Sequence, residues 1–176
     1  FRISIADSLK QTALDGRLLL LLSKSNNDEP RFQISDGATT QMVFGANIDQ
    51  WQPAGDQLID MHAFGYPIER LNDVPADDYY VQVLLHKYET FHLKTGQTVK
   101  LPMDRGEGQH WNTAPGNIYS TPVKIHFDPK TSNEIHLVIN KIIPPIKEPE
   151  DTKYVKHIKI QSKLLTEFWG RPMYLG

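Results

Sequence analysis

The longest alternating run of the chain, residues Asp78–Phe91, most strongly limits the folds that the sequence can adopt. One face of an extended chain would hold Tyr79, Val81, Val83 and Leu85, and the residues between them would hold the other face. Because side chains of a β-strand alternate between two faces, this period of two predicts a long strand. The alternation shifts near Lys87, which predicts a bulge or bend at that position.

Shorter apolar runs recur through the chain and are separated by turn residues such as Asp15-Gly16 and Asp36-Gly37. Residues 17–23 contain five consecutive leucines, as expected of a central strand that is covered on both faces. Further strands are predicted over residues 31–35, 41–47, 58–64, 98–103, 123–127 and 135–143, and little helix is expected. We therefore expect an all-β, antiparallel sandwich of about eight strands.

One long connection, residues 104–117, concentrates hydrogen-bonding and titratable side chains. Its glycines and proline interrupt helix and strand, and long irregular connections often have a function. Its candidate binding residues are Asp104, Arg105, Glu107, His110, Trp111 and Asn112. The two acids and His110 could surround a divalent ion. Alternatively, the acids accept hydrogen bonds from loop N–H groups, while His110 and Trp111 pack the loop against the sandwich.

A second candidate site consists of aromatic residues that have amides and carboxylates near them in the sequence. Trp51, Trp111 and Tyr119 could together form a platform on which a sugar ring stacks. Tryptophan and tyrosine equally serve as partly buried anchors of loops, so a structural role remains open for all three.

Composition and missing motifs exclude several classes of function. The chain has no cysteine, which removes disulfides, thiolate metal sites and cysteine nucleophiles. Its net charge of −2, without a clustered basic face, argues against a nucleic-acid partner. The leucine run is far shorter than the roughly 20 residues of a membrane span. No Gly-x-Ser-x-Gly motif occurs, so we expect no serine-hydrolase triad and no catalytic residue in this chain. We also expect no bound metal and no cofactor.

The composition changes at residues 142–152, where three prolines and three acids disfavour both β-strand pairing and α-helix. We place the sandwich at residues 1–149, and a linker with one or two strands of a further domain at residues 150–176. Tyr154, Ile158, Ile160 and Leu164 alternate like another strand, and the following residues 168–175 are strongly apolar. These side chains are expected to contact another domain or, through an exposed strand, a second copy of the chain.

Several runs together resemble the N-terminal region of secreted bacterial esterases. Pro75 to Val83 looks like a strand entry of immunoglobulin-like modules, in which an aromatic ring folds back toward the preceding connection. The other runs are Asp15-Gly16-Arg17, Phe44-Gly45, Gly65-Tyr66-Pro67, and residues 88–91, 104–111, 115–117, 143–145 and 168–172. In these esterases an immunoglobulin-like β-sandwich precedes an α/β-hydrolase domain of the enterochelin-esterase type.

The resemblance implies an immunoglobulin-like, non-catalytic accessory domain of a serine hydrolase in the periplasm or outside the cell. Its partner would be the hydrolase domain of the same chain, with the nucleophile beyond Gly176, and the loop of residues 104–117 would help to shape the substrate entrance. Two alternatives remain from the residues themselves. One is a carbohydrate-binding module that targets a polysaccharide esterase, and the other is a metal-binding domain centred on the loop.

Overall fold

The computed structural model describes residues 1–9, 12–52, 54–131 and 134–175. Thirteen strands and one α-helix lie within these residues: β1 (Arg2–Ile5), β2 (Leu14–Ser23), β3 (Met42–Trp51), β4 (Gln57–Leu58), β5 (Phe64–Tyr66), β6 (Asp77–His92), β7 (Thr98–Leu101), β8 (Ile118–Tyr119), β9 (Val123–Phe127), β10 (His136–Ile139), β11 (Lys141–Ile142), β12 (Ile160–Gln161), α1 (Lys163–Trp169) and β13 (Tyr174–Leu175). Short 3₁₀ helices cover Asp7–Leu9, Pro30–Phe32 and Leu71–Asp73.

Strand β6 organises an eight-stranded antiparallel sheet. One edge of β6 pairs with β2 over nine residues, and β2 continues through β3 to the short edge strand β5. The other edge of β6 pairs in turn with β9, β8 and β7, and β11 pairs with β8. The sixteen residues of β6 are therefore long enough to pair with four other strands, β2, β7, β8 and β9.

A three-stranded sheet of β10, β1 and β4 covers one face of this large sheet. Strand β1 pairs with β10 in parallel, which departs from the wholly antiparallel arrangement expected from the sequence. Between the two sheets lies the main core, with Ile3 from β1, Leu20 from β2, Phe44 from β3 and Val83 from β6 all fully buried. The fold is thus an all-β sandwich, as the alternating runs predict.

The outer face of the large sheet, away from the small sheet, has a smaller apolar cluster of its own. Leu19, Leu21 and Leu84 point to this face and pack with Ile143. The cluster is completed by the partly buried side chains of Ile34, Val43, Trp111 and Tyr119. The continuous leucine run of β2 is explained by this arrangement, because alternate leucines enter the two clusters.

Several strand predictions are confirmed and others are wrong. Strands β2, β6, β7 and β9 match the alternating runs. In the predicted strand 31–35, Pro30 instead starts a 3₁₀ helix, and in 58–64 only Leu58 and Phe64 belong to strands. Within residues 1–149 the described part of the sandwich has eleven strands where about eight are expected, because four of them span only two or three residues.

The β2–β6 pair has no register shift at Lys87, where the sequence predicts a bulge or bend, and a shift lies instead on a neighbouring pair of strands. Strands β2 and β6 pair without a shift from Asp15 through Ser23, and the shift occurs between Leu14 and Gly16 in the β2–β3 pair. A Cβ atom at Gly16 would overlap the carbonyl oxygen of His86. The two backbones approach each other closely at this point, which only glycine permits.

Tyr79 folds back at the start of β6 in the way that the strand-entry motif implies. Its ring is fully buried, and its hydroxyl donates a hydrogen bond of 2.9 Å to the carbonyl oxygen of Pro75. The bond fixes the connection that enters the longest strand. A tyrosine near a strand start that bonds the backbone a few residues upstream is a feature of immunoglobulin-type sandwiches.

The last part of the chain differs from its prediction. Residues 144–161 are exposed, and those before Ile160 form no strand, although an alternating strand was expected from Tyr154. Helix α1 follows, with Ser162 accepting a hydrogen bond of 3.3 Å from the backbone N–H of Leu165 and Gly170 in a left-handed conformation after its end. Strands β12 and β13 pair antiparallel on either side of this helix.

Candidate functional site

The first half of the predicted binding loop, residues 104–110, is mostly exposed to solvent, and its acidic side chains accept hydrogen bonds from its own backbone. The Asp104 carboxylate accepts hydrogen bonds from the N–H groups of Gly106 at 2.8 Å and Gly108 at 3.3 Å. Glu107 accepts one of 2.7 Å from the N–H group of Arg105. Across the described residues, no three His, Asp or Glu side chains come together as metal ligands. The acids therefore stabilise the loop backbone.

The second half of the loop, residues 111–117, is fastened to the sandwich by Asn117. This buried amide accepts a hydrogen bond of 2.9 Å from the N–H group of Lys87 and donates one of 2.8 Å to the carbonyl oxygen of Trp111. The backbone of Asn117 also accepts a bond of 2.8 Å from the N–H group of Ile143. The position of Trp111 is consequently set by β6 and by the chain after β11.

Asn112 is tied to a buried arginine that the sequence did not single out. The Arg31 guanidinium donates to the carbonyl oxygen of Asn112 at 2.7 Å, and the Asn112 amide donates to that of Arg31 at 3.3 Å. The guanidinium carbon lies 4.2 Å from the Phe32 ring centroid and 4.3 Å from that of Tyr119. The guanidinium of Arg31 thereby covers one face of the Tyr119 ring, and that face is not free to stack against a sugar.

A polar network continues from Arg31 into the sheet. Arg31 pairs with Glu29 at 2.8 Å, and the fully buried Gln82 amide donates to Glu29 at 2.8 Å and to the carbonyl oxygen of Ser120 at 3.0 Å. Partial burial raises the pKa of Glu29, but the hydrogen bonds from Gln82 and Arg31 outweigh it and leave that pKa below its ordinary value. Among the described residues, no buried side-chain nitrogen or oxygen lacks a hydrogen-bond partner, so the role of the network is structural.

The three aromatic residues of the predicted sugar platform do not form one surface. Trp51 is only 2% exposed in the main core, and its indole N–H donates to the carbonyl oxygen of Gly55 at 2.8 Å. Trp111 and Tyr119 lie on the opposite face of the large sheet. Trp51 cannot stack with a sugar, because its ring is enclosed between the two sheets.

An open groove instead lies on the outer face, between strand β5 and the loop. It has a volume of about 310 Å³. Phe64 and Tyr66 form one wall and are 63% and 48% exposed, while Trp111 and Ile34 form the other. Leu19, Val43 and Gly45 line its floor, and its polar groups belong to Arg17, His86 and the Tyr66 hydroxyl. Of the residues predicted to bind, the groove includes only Trp111.

Sequence reasoning missed the groove because strand register decides its composition. Gly45 pairs with both Leu19 and Phe64, which places a residue without a side chain between two apolar ones on the same face. Arg17 and His86 are likewise direct neighbours across β2 and β6. The available signal was the pair of ring-bearing residues Phe64 and Tyr66 around Gly65, in a run too short to be predicted as a separate strand.

Glu89 joins the loop to the final segment of the chain. Its two carboxylate oxygens pair with Arg105 of the loop and with Arg171 after helix α1. Nearby, the Trp169 ring meets the Phe91 ring edge to face at 5.3 Å between centroids. The loop and the C-terminal segment thus meet at one carboxylate on β6.

Comparisons with family models, curated proteins and solved structures return no significant match to this chain. Among the described residues, no helix has both the length and the apolar character needed to cross a membrane.

Proposed function

We propose that the sandwich is an immunoglobulin-like, non-catalytic accessory domain of a secreted or periplasmic esterase. It packs in cis against an α/β-hydrolase domain and helps to shape the entrance for the substrate. The resemblance of several sequence runs to such esterases motivates the proposal. The observation that supports it best is an apolar surface on residues 154–175.

This C-terminal surface is unusually rich in exposed apolar side chains. It includes Tyr154 at 86% exposure and Leu164 at 79%, together with Val155, Ile158, Ile160, Leu165, Phe168, Tyr174 and Leu175. A concentration of exposed apolar side chains on one segment is characteristic of interaction sites. An adjoining domain that covered it would remove these side chains from water, which is the main favourable term in association.

The loop is suitably placed for the proposed role beside this surface. Arg105 and Arg171 share the carboxylate of Glu89, so residues near position 105 lie next to the segment that leads to the apolar surface. The backbone N–H group of Lys94 also donates to the carbonyl oxygen of Phe168 at 2.9 Å, which fixes the helix to the β6–β7 turn. A domain that packs on α1 would therefore have the loop at its margin.

The coding sequence downstream of Gly176 provides the most direct test. We expect an alternating strand and helix pattern with a Gly-x-Ser-x-Gly motif, because an α/β-hydrolase presents its nucleophile on such a turn. A stop codon directly after position 176, or a downstream domain of another class, would contradict the proposal.

A second copy of the chain is the competing occupant of the apolar surface. Sedimentation of the protein at rising concentration distinguishes a second copy from an adjoining domain as the occupant, because the proposal expects a monomer. A dimer that dissociates in Leu164→Glu, but persists in Val138→Glu on the small sheet, would assign the surface to self-association. Val138 is a matched control because it is 41% exposed on β10, away from the C-terminal surface.

Catalysis by this chain alone would also contradict the accessory role. Purified protein should hydrolyse p-nitrophenyl acetate no faster than buffer. Turnover that a single substitution within residues 1–175 abolishes would show that a complete active site is present.

A further inference from the structure

The groove on the outer face contains a cation without an acidic partner. Arg17 donates one hydrogen bond of 2.7 Å to the side-chain oxygen of Asn47. Within the described ranges, no carboxylate lies within ion-pair distance of its guanidinium. The preceding acid on β2, Asp15, is already bound by Gln50 at 2.8 Å and by Lys100 at 2.9 Å.

Gly45 explains how this cation lies within the groove. A Cβ atom at position 45 would come within 2.8 Å of both Nε and Nη2 of Arg17, so the guanidinium lies flat over the glycine backbone. Any larger residue at position 45 would displace it. The register of β2, β3 and β5 therefore places a cation beside Phe64.

His86 supplies no second charge at neutral pH. It is half-buried beside Arg17, and burial lowers the pKa of its imidazole, although Glu107 partly opposes that effect. The positive charge at this end of the groove accordingly belongs to Arg17. The other lining side chains are apolar or aromatic, with the Tyr66 hydroxyl as a further polar group.

We propose that this groove binds a small carboxylate with a flat, apolar body, such as an aromatic acid. The carboxylate pairs with the free N–H groups of Arg17, in the charge-assisted geometry for which guanidinium is suited. The ring lies between Phe64 and Tyr66 on one side and Trp111 on the other. The volume of about 310 Å³ is at the lower end for small-molecule sites and fits one ring with a short acidic chain.

The lining favours this ligand class over a sugar. A sugar ring needs several hydrogen-bonding partners around its edge, and the groove offers mainly Arg17, His86 and the Tyr66 hydroxyl. An aromatic ring needs only apolar and aromatic walls, which Leu19, Val43 and the ring side chains supply. This site is independent of the proposed accessory role, since it depends only on the large sheet and the loop.

Titration of the protein with 3-phenylpropanoate, followed by amide NMR and calorimetry, tests the proposal. We expect the resonances of β3, β5 and Trp111 to shift. The neutral amide 3-phenylpropanamide should bind at least about tenfold more weakly, which corresponds to about 1.4 kcal/mol. Arg17→Met should weaken binding of the acid by a similar factor, and Phe64→Ala should weaken both ligands. Lys130→Met removes a charge from a distant exposed turn and should change nothing.

Three results would overturn the proposal. The first is no binding of 3-phenylpropanoate at millimolar concentration by a protein whose NMR spectrum is that of a folded chain. The second is equal binding of the acid and its amide, or full binding by Arg17→Met. The third is tighter binding of galacturonate than of 3-phenylpropanoate, which would make the site one for acidic sugars. Failure of any of these kinds would leave the downstream-domain test of the accessory role unaffected.

Discussion

Gly65 lets the edge strand β5 lie directly against a core aromatic ring. A Cβ atom at this position would overlap the Phe44 ring and come within 2.6 Å of the carbonyl oxygen of Val43. Because Phe44 is fully buried and cannot move without disturbing the core, Gly65→Ala should lower the free energy of unfolding by about 2 kcal/mol. Urea denaturation measures the change. Gly37→Ala is the matched control, because its new Cβ would meet only the Ser35 hydroxyl at 3.6 Å; equal losses in both variants would refute the steric argument.

Gln82 is the central amide of the buried polar network. Gln82→Leu removes the donor to Glu29 and to the carbonyl oxygen of Ser120, and the acceptor for the N–H group of Arg31. Buried groups left without partners cost about 1–3 kcal/mol, so we expect a loss of stability in that range. Thermal and urea unfolding measure it, with Gln97→Leu at an exposed turn as the control. A variant as stable as the wild type would mean that water replaces the lost partners.

At the level of elements, helix α1 depends on its contact with the β6–β7 hairpin. Seven residues are too few for a stable isolated helix, so packing against Phe91 must contribute. Trp169→Ala should speed amide hydrogen exchange across residues 160–175 while leaving β2 and β6 protected. Mass spectrometry of exchanged peptides checks this expectation. Leu164→Ala, at a side chain that is 79% exposed, should leave exchange unchanged; accelerated exchange in the control alone would mean that the helix is held by a different face.

For the whole molecule, His86 makes stability depend on pH. Burial lowers its pKa from the ordinary value of 6.5, so the unfolded chain binds more protons between the two pKa values. The contribution of His86 to stability is fully present above about pH 6.5, and it is lost as the pH falls through the lowered pKa of His86 in the folded protein. The wild-type free energy of unfolding should therefore decline as the pH falls from about 7 to about 5, and His86→Gln should flatten this decline.

The pH range in which His86 changes the free energy of unfolding lies above the range in which the acidic residues do so. Asp77, whose pKa is lowered first by the hydrogen bond from Lys24, loses its contribution only below its ordinary pKa of 3.8. His62→Gln is the control, because His62 is exposed and should leave the slope as it is. Chemical denaturation at a series of pH values gives the slopes, and an unchanged slope in His86→Gln would exclude burial as its cause.

The sequence by itself determined the all-β class, the long strand β6 and the central position of β2. These depend on local alternation and on a run of leucines, because a strand that is buried on one face or on both faces has a characteristic order of apolar residues along the chain. The backbone bond of Tyr79 also follows from a short motif. The sequence did not determine the 3₁₀ helix at Pro30, the helix α1 or the exposed stretch before it, because short elements depend on partners that are distant along the chain.

Only the tertiary structure decided which polar and aromatic residues meet. It buried Trp51 between the sheets, placed the cation of Arg31 against Tyr119, and turned Asp104 and Glu107 toward their own loop backbone. It also brought Arg17, Gly45 and Phe64 together through the registers of β2, β3 and β5. A one-residue slip in either pairing would turn these side chains to the opposite face, so register, which is a property of the assembled sheet, determines the groove.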